Sequence, residues 1–220
     1  GDALQAQLDH WRKALAGAPT VLELPTDRPR PPVLSYRGGA EQVRIPADVV
    51  DGLRRLGREN GATVFMTLLA AYGVVLGRYC GVEDLCVGVP HAGRGRTELE
   101  PAIGFFVNTL VIRIDLTGDP SFAELLGRVR ETALGAYLNQ DLPFEQLVEE
   151  LAPQRDLSRN PLVQVMFQHI PDDAGGVGGL RTEALGLRLS GLERVPLRTE
   201  SEGRSGGRGP TTLMSRRSTL

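Results

Sequence analysis

Proton transfer near neutral pH calls for a titratable group there, and histidine is the first candidate. The chain has three, His10, His91 and His169, and no two are adjacent. None has an acid and a nucleophile beside it arranged for general-base work, so no catalytic residue is assigned. His91 is expected to sit exposed on a loop. Cys80 and Cys86 have no histidine partner close by, which argues against a metal centre. Their apolar surroundings read as reduced, packed thiols of a cytoplasmic protein.

The other candidates gather in "VGVPHAGRGRTELEPAIGFFVNTLVIRIDL", Val87 to Leu116. Two apolar runs flank a polar, glycine-bearing loop. Pro90 ends the first run, because it has no donor for a strand ladder. Gly93 and Gly95 allow tight turns. The fork of Arg94 either ties the loop down through several carbonyls or a carboxylate, or meets a substrate. Ile103, Gly104, Phe105 and Phe106 form an apolar knot. Asn108 opens the second run, and its amide suits either backbone pairing or a substrate amide.

Two polar clusters lie further on. In "QDLPFE", Asp141 and Pro143 read as a turn and a helix start, with Phe144 and Leu147 buried. In "QRDLSRNP", the group Arg155, Asp156, Ser158 and Arg159 reads as a turn held by Asp–Arg pairing and capping; a direct chemical role is the other reading.

The elements that must carry these residues follow from periodicity. Leu4, Leu8, Trp11 and Leu15 recur at helical spacing, and Gly17 is a stop signal. Residues 24–38 are a proline-rich connector, with Pro25, Pro29, Pro31 and Pro32. It serves either as a plain linker or as a strap between two elements. "AEQVRIP" alternates like a strand. The next segment is a short amphipathic helix with Val49, Leu53 and Leu56 on one face and Gly61 at its end. Thr63 caps a buried helix, "VFMTLLAAYGVVLGRYCG". "EDLCVGVP" and "NTLVIRIDL" are strands. Asp119-Pro120-Ser121 starts another helix, with Glu124 completing a capping box. "LPFEQLVEELAP" is a short helix, and "NPLVQVMFQHI" a further strand. One or two strands fit residues 180–197. The order predicts an α/β protein: a two-layer α+β sandwich with a mixed sheet covered by helices.

The 220 residues are 41% hydrophobic and 24% charged, with formal net charge -2. That near balance favours neither nucleic acid nor an anionic membrane as the main partner. No apolar run reaches the roughly 20 residues of a bilayer span. Gly1-Asp2 has no methionine, basic region or apolar region of a signal peptide, and reads as a cut inside a longer chain. From Thr199 the chain is rich in Gly, Ser, Arg and Thr, which predicts a disordered tail over 199–220.

Four stretches together resemble the C-terminal half of the condensation domain of nonribosomal peptide synthetases. They are "LPTDRPRP" from Leu24, "DLCVGVPHAGRGRTELEPAIGFFVNTLVIRIDL" from Asp84, "LNQDLPFEQLVEEL" from Leu138 and "PQRDLSRNPLVQVMFQ" from Pro153. The resemblance runs from about Trp11 to Ile170 and implies a chloramphenicol-acetyltransferase-like lobe over 1–198. It implies the acceptor-side half of a domain that joins carrier-bound aminoacyl or peptidyl thioesters by an amide bond, in secondary-metabolite or antibiotic synthesis. The partners implied are peptidyl carrier proteins bearing phosphopantetheine, an N-terminal condensation lobe and a neighbouring adenylation domain. The loop with Arg94, Gly104, Phe105 and Asn108 is then the floor of the substrate tunnel.

This sequence departs from that family in three places. The family signature, two adjacent histidines followed by Asp-Gly, is not among the 220 residues. Asn139 stands where the family usually has histidine, which argues against chemistry at that position. Past "LERVPL", alternation is lost near Thr199, as either a shifted reading frame or an artificial chain end would leave it. A non-catalytic binding lobe, or an epimerisation-type or acyltransferase relative, are the other readings.

Overall fold

The computed structural model describes residues 2–34, 38–41, 43–93, 104, 106–151, 156–170 and 212–213. At its centre is β1 (Asp84–His91), whose stretch from Leu85 to Val89 is buried throughout. It pairs antiparallel with β2 (Asn108–Asp115), from Asp84 opposite Asp115 to His91 opposite Asn108. On its other side a parallel bridge joins Gly88 to Met166. There Gly88 N donates to Val165 O at 3.0 Å and Phe167 N donates to Gly88 O at 2.8 Å. The next parallel rung would need a donor from Pro90, which has none, so the ladder stops. Pro90 thus ends this parallel contact, whereas the antiparallel strand continues one residue further, to His91.

That stop corrects the expected strand over "NPLVQVMFQHI". The segment is buried at Leu162, Val163, Val165 and Phe167, yet it makes only the Met166 bridge and a two-residue strand, β3 (His169–Ile170). Leu162, at φ 59°, breaks the extended path just after Pro161. Gln164 bonds away from the sheet, accepting from Leu22 N and donating to Thr20 O and Asn160 O. β3 pairs antiparallel with β4 (Thr212–Leu213). The remaining residues of the expected strands in 180–197 and of the tail lie outside the described residues.

Among the described residues, five helices surround this centre: α1 (Asp2–Ala14), α2 (Ala47–Glu59), α3 (Val64–Cys80), α4 (Phe122–Leu138) and α5 (Phe144–Leu151). α3 is capped as its sequence predicts, with Thr63 Oγ1 accepting from Met66 N at 3.2 Å and Gly81 in the left-handed region at its end. Its Gly73 and Gly77 let the helix approach β2 closely. A Cβ on Gly73 would meet Ile114 Cδ1 at 2.7 Å, and one on Gly77 would meet the Leu116 side chain. α4 carries the full capping box, Ser121 with Glu124, and buries Leu125, Leu126, Val129, Ala133 and Ala136.

α2 is rotated slightly from the face expected: Leu53 packs against the core and Leu56 is half-buried as the pattern predicts, but Val49 is not turned inward. Val50 and Gly57 are buried and Val49 is exposed. Gly57 decides this: a Cβ there would come within 2.7 Å of Thr67 Oγ1 on α3, so the helix seats on its smallest residue. The strand expected for "AEQVRIP" does not form among the described residues, and Val43 is 66% exposed. Among the described residues no single helix is long and apolar enough to cross a membrane.

Candidate functional site

The mouth of the β1–β2 pair is where the candidate residues meet. His91 and Asn108 stand opposite each other as its last register pair. Just beyond, Gly93 has φ 64°, and a Cβ there would collide with the carbonyl oxygen of Phe106. The two arms of the connection therefore leave the strands back to back, which only glycine permits. Gly104 packs on the Phe106 ring, where a Cβ would lie 2.9 Å from Cε2. Arg94, Phe105 and Ile103 lie outside the described residues.

Asn108 uses its entire hydrogen-bonding capacity. Nδ2 donates to Gln140 O at 2.9 Å and Leu142 O at 2.8 Å. Oδ1 accepts from Phe144 N at 3.0 Å and Thr109 N at 2.9 Å. An amide has two donors and two acceptor positions, and all four meet backbone. A substrate amide would have to displace one of these bonds.

The turn Asn108 grips joins α4 to α5 and is gripped from its other side by α1. Gln7 Oε1 accepts from Asp141 N at 3.1 Å and Leu142 N at 3.0 Å, while its Nε2 donates to Asp141 Oδ2 at 3.2 Å. Trp11 Nε1 donates to Asn139 O at 2.9 Å. Pro143 O then accepts from Gln146 N and Leu147 N, opening α5. Phe144 is half-buried and Leu147 fully so. Asn139 ends α4, its Nδ2 donating to Gly135 O.

The second cluster is separate from this mouth. Asp156 Oδ1 accepts from Ser158 N at 2.8 Å, and its Oδ2 lies 2.9 Å from Arg159 Nε. Bonds from Ser158, side chain and backbone, hold the Asp156 carboxyl below its usual range. Arg159 Nη1 reaches Glu23 at 2.6 Å, and Arg30 Nη1 donates to Ser158 O at 3.3 Å. These contacts tie the 156–159 turn to the connector. Arg155 lies outside the described residues.

The histidines stay apart. His91 is not exposed on the loop: it is the half-buried last residue of β1, its ring centroid 6.2 Å from that of Tyr137. His10 stands edge-on to Trp11, and burial, then Lys13, lowers its pKa. Burial, then Arg54, lowers that of His169. Burial, seconded by Asp84, pushes the Cys86 thiol up to about 12, so it is inert. No group of three metal-ligating side chains occurs among the described residues.

Sequence reasoning missed Gln7, although a signal was present. Gln7 precedes Trp11 by one helical turn, a carboxamide flanking the apolar stripe of α1. Arg113, whose bonds join β2 to both β1 and α1, had no signal at all inside an alternating strand.

Comparison with known proteins places this architecture. The family model described as "Condensation domain" matches residues 1–175. A linear gramicidin synthase of Brevibacillus parabrevis is 52% identical over 194 residues, 87% of this chain but 2% of that protein. The X-domain from teicoplanin biosynthesis superposes with TM-score 0.70 at 35% identity, covering 74% of this chain and 36% of that one. A four-domain nonribosomal peptide synthetase, solved in its holo form with AMP and glycine, gives TM-score 0.73 at 32% identity over 79% of this chain and 13% of its own. The chain thus spans 2%, 36% and 13% of these three proteins, and its α/β architecture is theirs. It belongs to the condensation-domain family of nonribosomal peptide synthetases.

Proposed function

We propose that this chain is the C-terminal, acceptor-side lobe of a domain that forms amide bonds between carrier-bound thioesters. The acceptor aminoacyl amine attacks the donor thioester carbonyl. The C–N bond forms, the C–S bond breaks, and the amine proton ends on the released thiol. The observation that carries this reading is the family match over residues 1–175, on a fold that covers only 36% and 13% of the solved relatives. The orienting base of the reaction belongs, in this proposal, to a first lobe that supplies adjacent histidines.

The partners that follow are that lobe, peptidyl carrier proteins and an adenylation domain, in the cytoplasm. Phosphopantetheine comes with the carrier as part of the substrate. No described residue is assigned to it, since the amides of Asn108 and Gln7 are engaged within the chain. This chain's part is to wall one side of the reaction and hold the mouth of β1–β2 in place.

A second reading, a binding lobe without chemistry of its own, is favoured by one observation: three histidines with none adjacent. One assay separates the two. The 220-residue chain is given both carrier-bound thioesters, alone and then with a first lobe added. No product alone and amide with the added lobe supports the proposal. No product in either case favours the binding lobe. Product from the chain alone at the rate of a whole domain overturns both.

A further inference from the structure

Backbone bonding lapses at the turn between α4 and α5. It stops at Asn139 N–Ala136 O and resumes where Gln146 and Leu147 donate to Pro143 O. Between those points six polar backbone groups are met by side chains from two remote elements. Gln7 of α1 takes the N–H groups of Asp141 and Leu142, and Trp11 meets the carbonyl of Asn139. Asn108 of β2 takes the carbonyls of Gln140 and Leu142 and the N–H of Phe144. A turn satisfied from outside has its shape set from outside.

We propose that Gln7 and Asn108 are paired positioning residues: two carboxamides that press the 139–144 turn onto the β1–β2 mouth and so align the wall of the reaction proposed above. The inference rests on that reaction for its catalytic half only. Neither side chain touches substrate. Both act through the turn, and Gln7 does so from a helix some 130 positions away in sequence. The orientation of the Gln7 amide is fixed too, because its oxygen must face two N–H groups, which leaves its NH2 for the Asp141 carboxylate.

The clamp is tested first by amide hydrogen exchange on the 220-residue chain. Gln7→Ala should speed exchange at Asp141 and Leu142 by about fivefold to tenfold, the loss of one net hydrogen bond, and leave β1 unchanged. Uniform acceleration, or none, overturns the clamp. Gln7→Glu with Asp141→Asn exchanges donor for acceptor across the same contact and should restore protection.

Activity is then measured with the first lobe added. Gln7→Ala and Asn108→Asp should lower kcat by about tenfold or more while KM for the acceptor stays within about twofold. The double exchange variant should recover most of kcat. Selective loosening of the turn with kcat unchanged overturns the positioning role. If the unaltered chain with its first lobe makes no amide, the functional reading fails, and the exchange data still decide the clamp.

Discussion

Arg113 holds Asp84 with two of its three guanidinium nitrogens, Nε to Oδ1 at 2.9 Å and Nη2 to Oδ2 at 2.7 Å, diagonally across the antiparallel pair. The third, Nη1, donates to Ala14 O and Ala16 O at 3.3 and 3.0 Å, at the C-terminal end of α1. One side chain thus joins β1, β2 and the N-terminal helix, and supplies a cation where helix carbonyls lack partners. The hydrogen bond to Asp84, ahead of the other causes, raises the Arg113 pKa.

Arg113→Lys keeps the charge and loses the fork. A point charge cannot serve a carboxylate and two carbonyls together, so the substitution should cost about 1–2 kcal/mol in urea unfolding. Arg113→Ala should cost more, about 2–3 kcal/mol, because the half-buried Asp84 is left without its cation. A Lys variant as stable as the parent would show that charge alone matters here.

Two helical glycines should respond in opposite directions. Gly73 faces Ile114 with no room for a methyl, so Gly73→Ala should destabilise by about 1–3 kcal/mol. Gly127 on α4 has nothing within 4 Å of its Cβ position, so Gly127→Ala should stabilise by about 0.5–1 kcal/mol through helix propensity. Thermal melts of the two variants, run side by side, check both signs.

What was legible in the sequence was local. The Thr63 cap, the Ser121–Glu124 capping box and the β1 and β2 runs depend on neighbours within a few residues, and each formed where its pattern stands. What was illegible depends on remote partners. Whether Val49 or Val50 faces inward is decided by Gly57 meeting Thr67 on another helix. Whether "NPLVQVMFQHI" extends a sheet is decided by Pro90 on β1, one donor short. At the mouth, the type of Asn108 allowed two roles. The carbonyls of Gln140 and Leu142, far along the chain, occupy it, and no spacing rule forecasts that.

Two histidines set the acid side of the stability profile. His10 and His169 have folded pKa values below the reference of 6.5, burial being the first cause for each. A depressed histidine pKa means the unfolded chain binds the proton more readily. Stability should therefore be full above pH 6.5 and fall as the pH drops through and below that value. Asp115 and Asp156, both lowered from 3.8 by bonds from Thr117 and Ser158 respectively, add their own loss only in stronger acid. Unfolding free energy measured from pH 7.5 to 5 should decline in the parent and decline less in His169→Gln. Equal slopes would remove His169 from the profile.

The two cysteines give a direct reading of the core. Cys86 is 5% exposed on β1, and burial with the nearby Asp84 pushes its thiol up to about 12. Cys80, near the end of α3, is only half-buried, with its pKa raised by burial alone. Attack on a thiol reagent needs both thiolate and access. At mildly alkaline pH a small iodoacetamide-type reagent should therefore modify Cys80 first and leave Cys86 untouched until the β1–β2 pair opens. The slow phase at Cys86 should follow global unfolding, so it should lengthen in Gly127→Ala and shorten in Gly73→Ala. Mass spectrometry of the two cysteine peptides over time reads this directly. Labelling of Cys86 at the rate of Cys80 in the folded chain would mean that β1 is open to solvent, and that the core built on Leu85, Val87 and Val89 is wrongly placed.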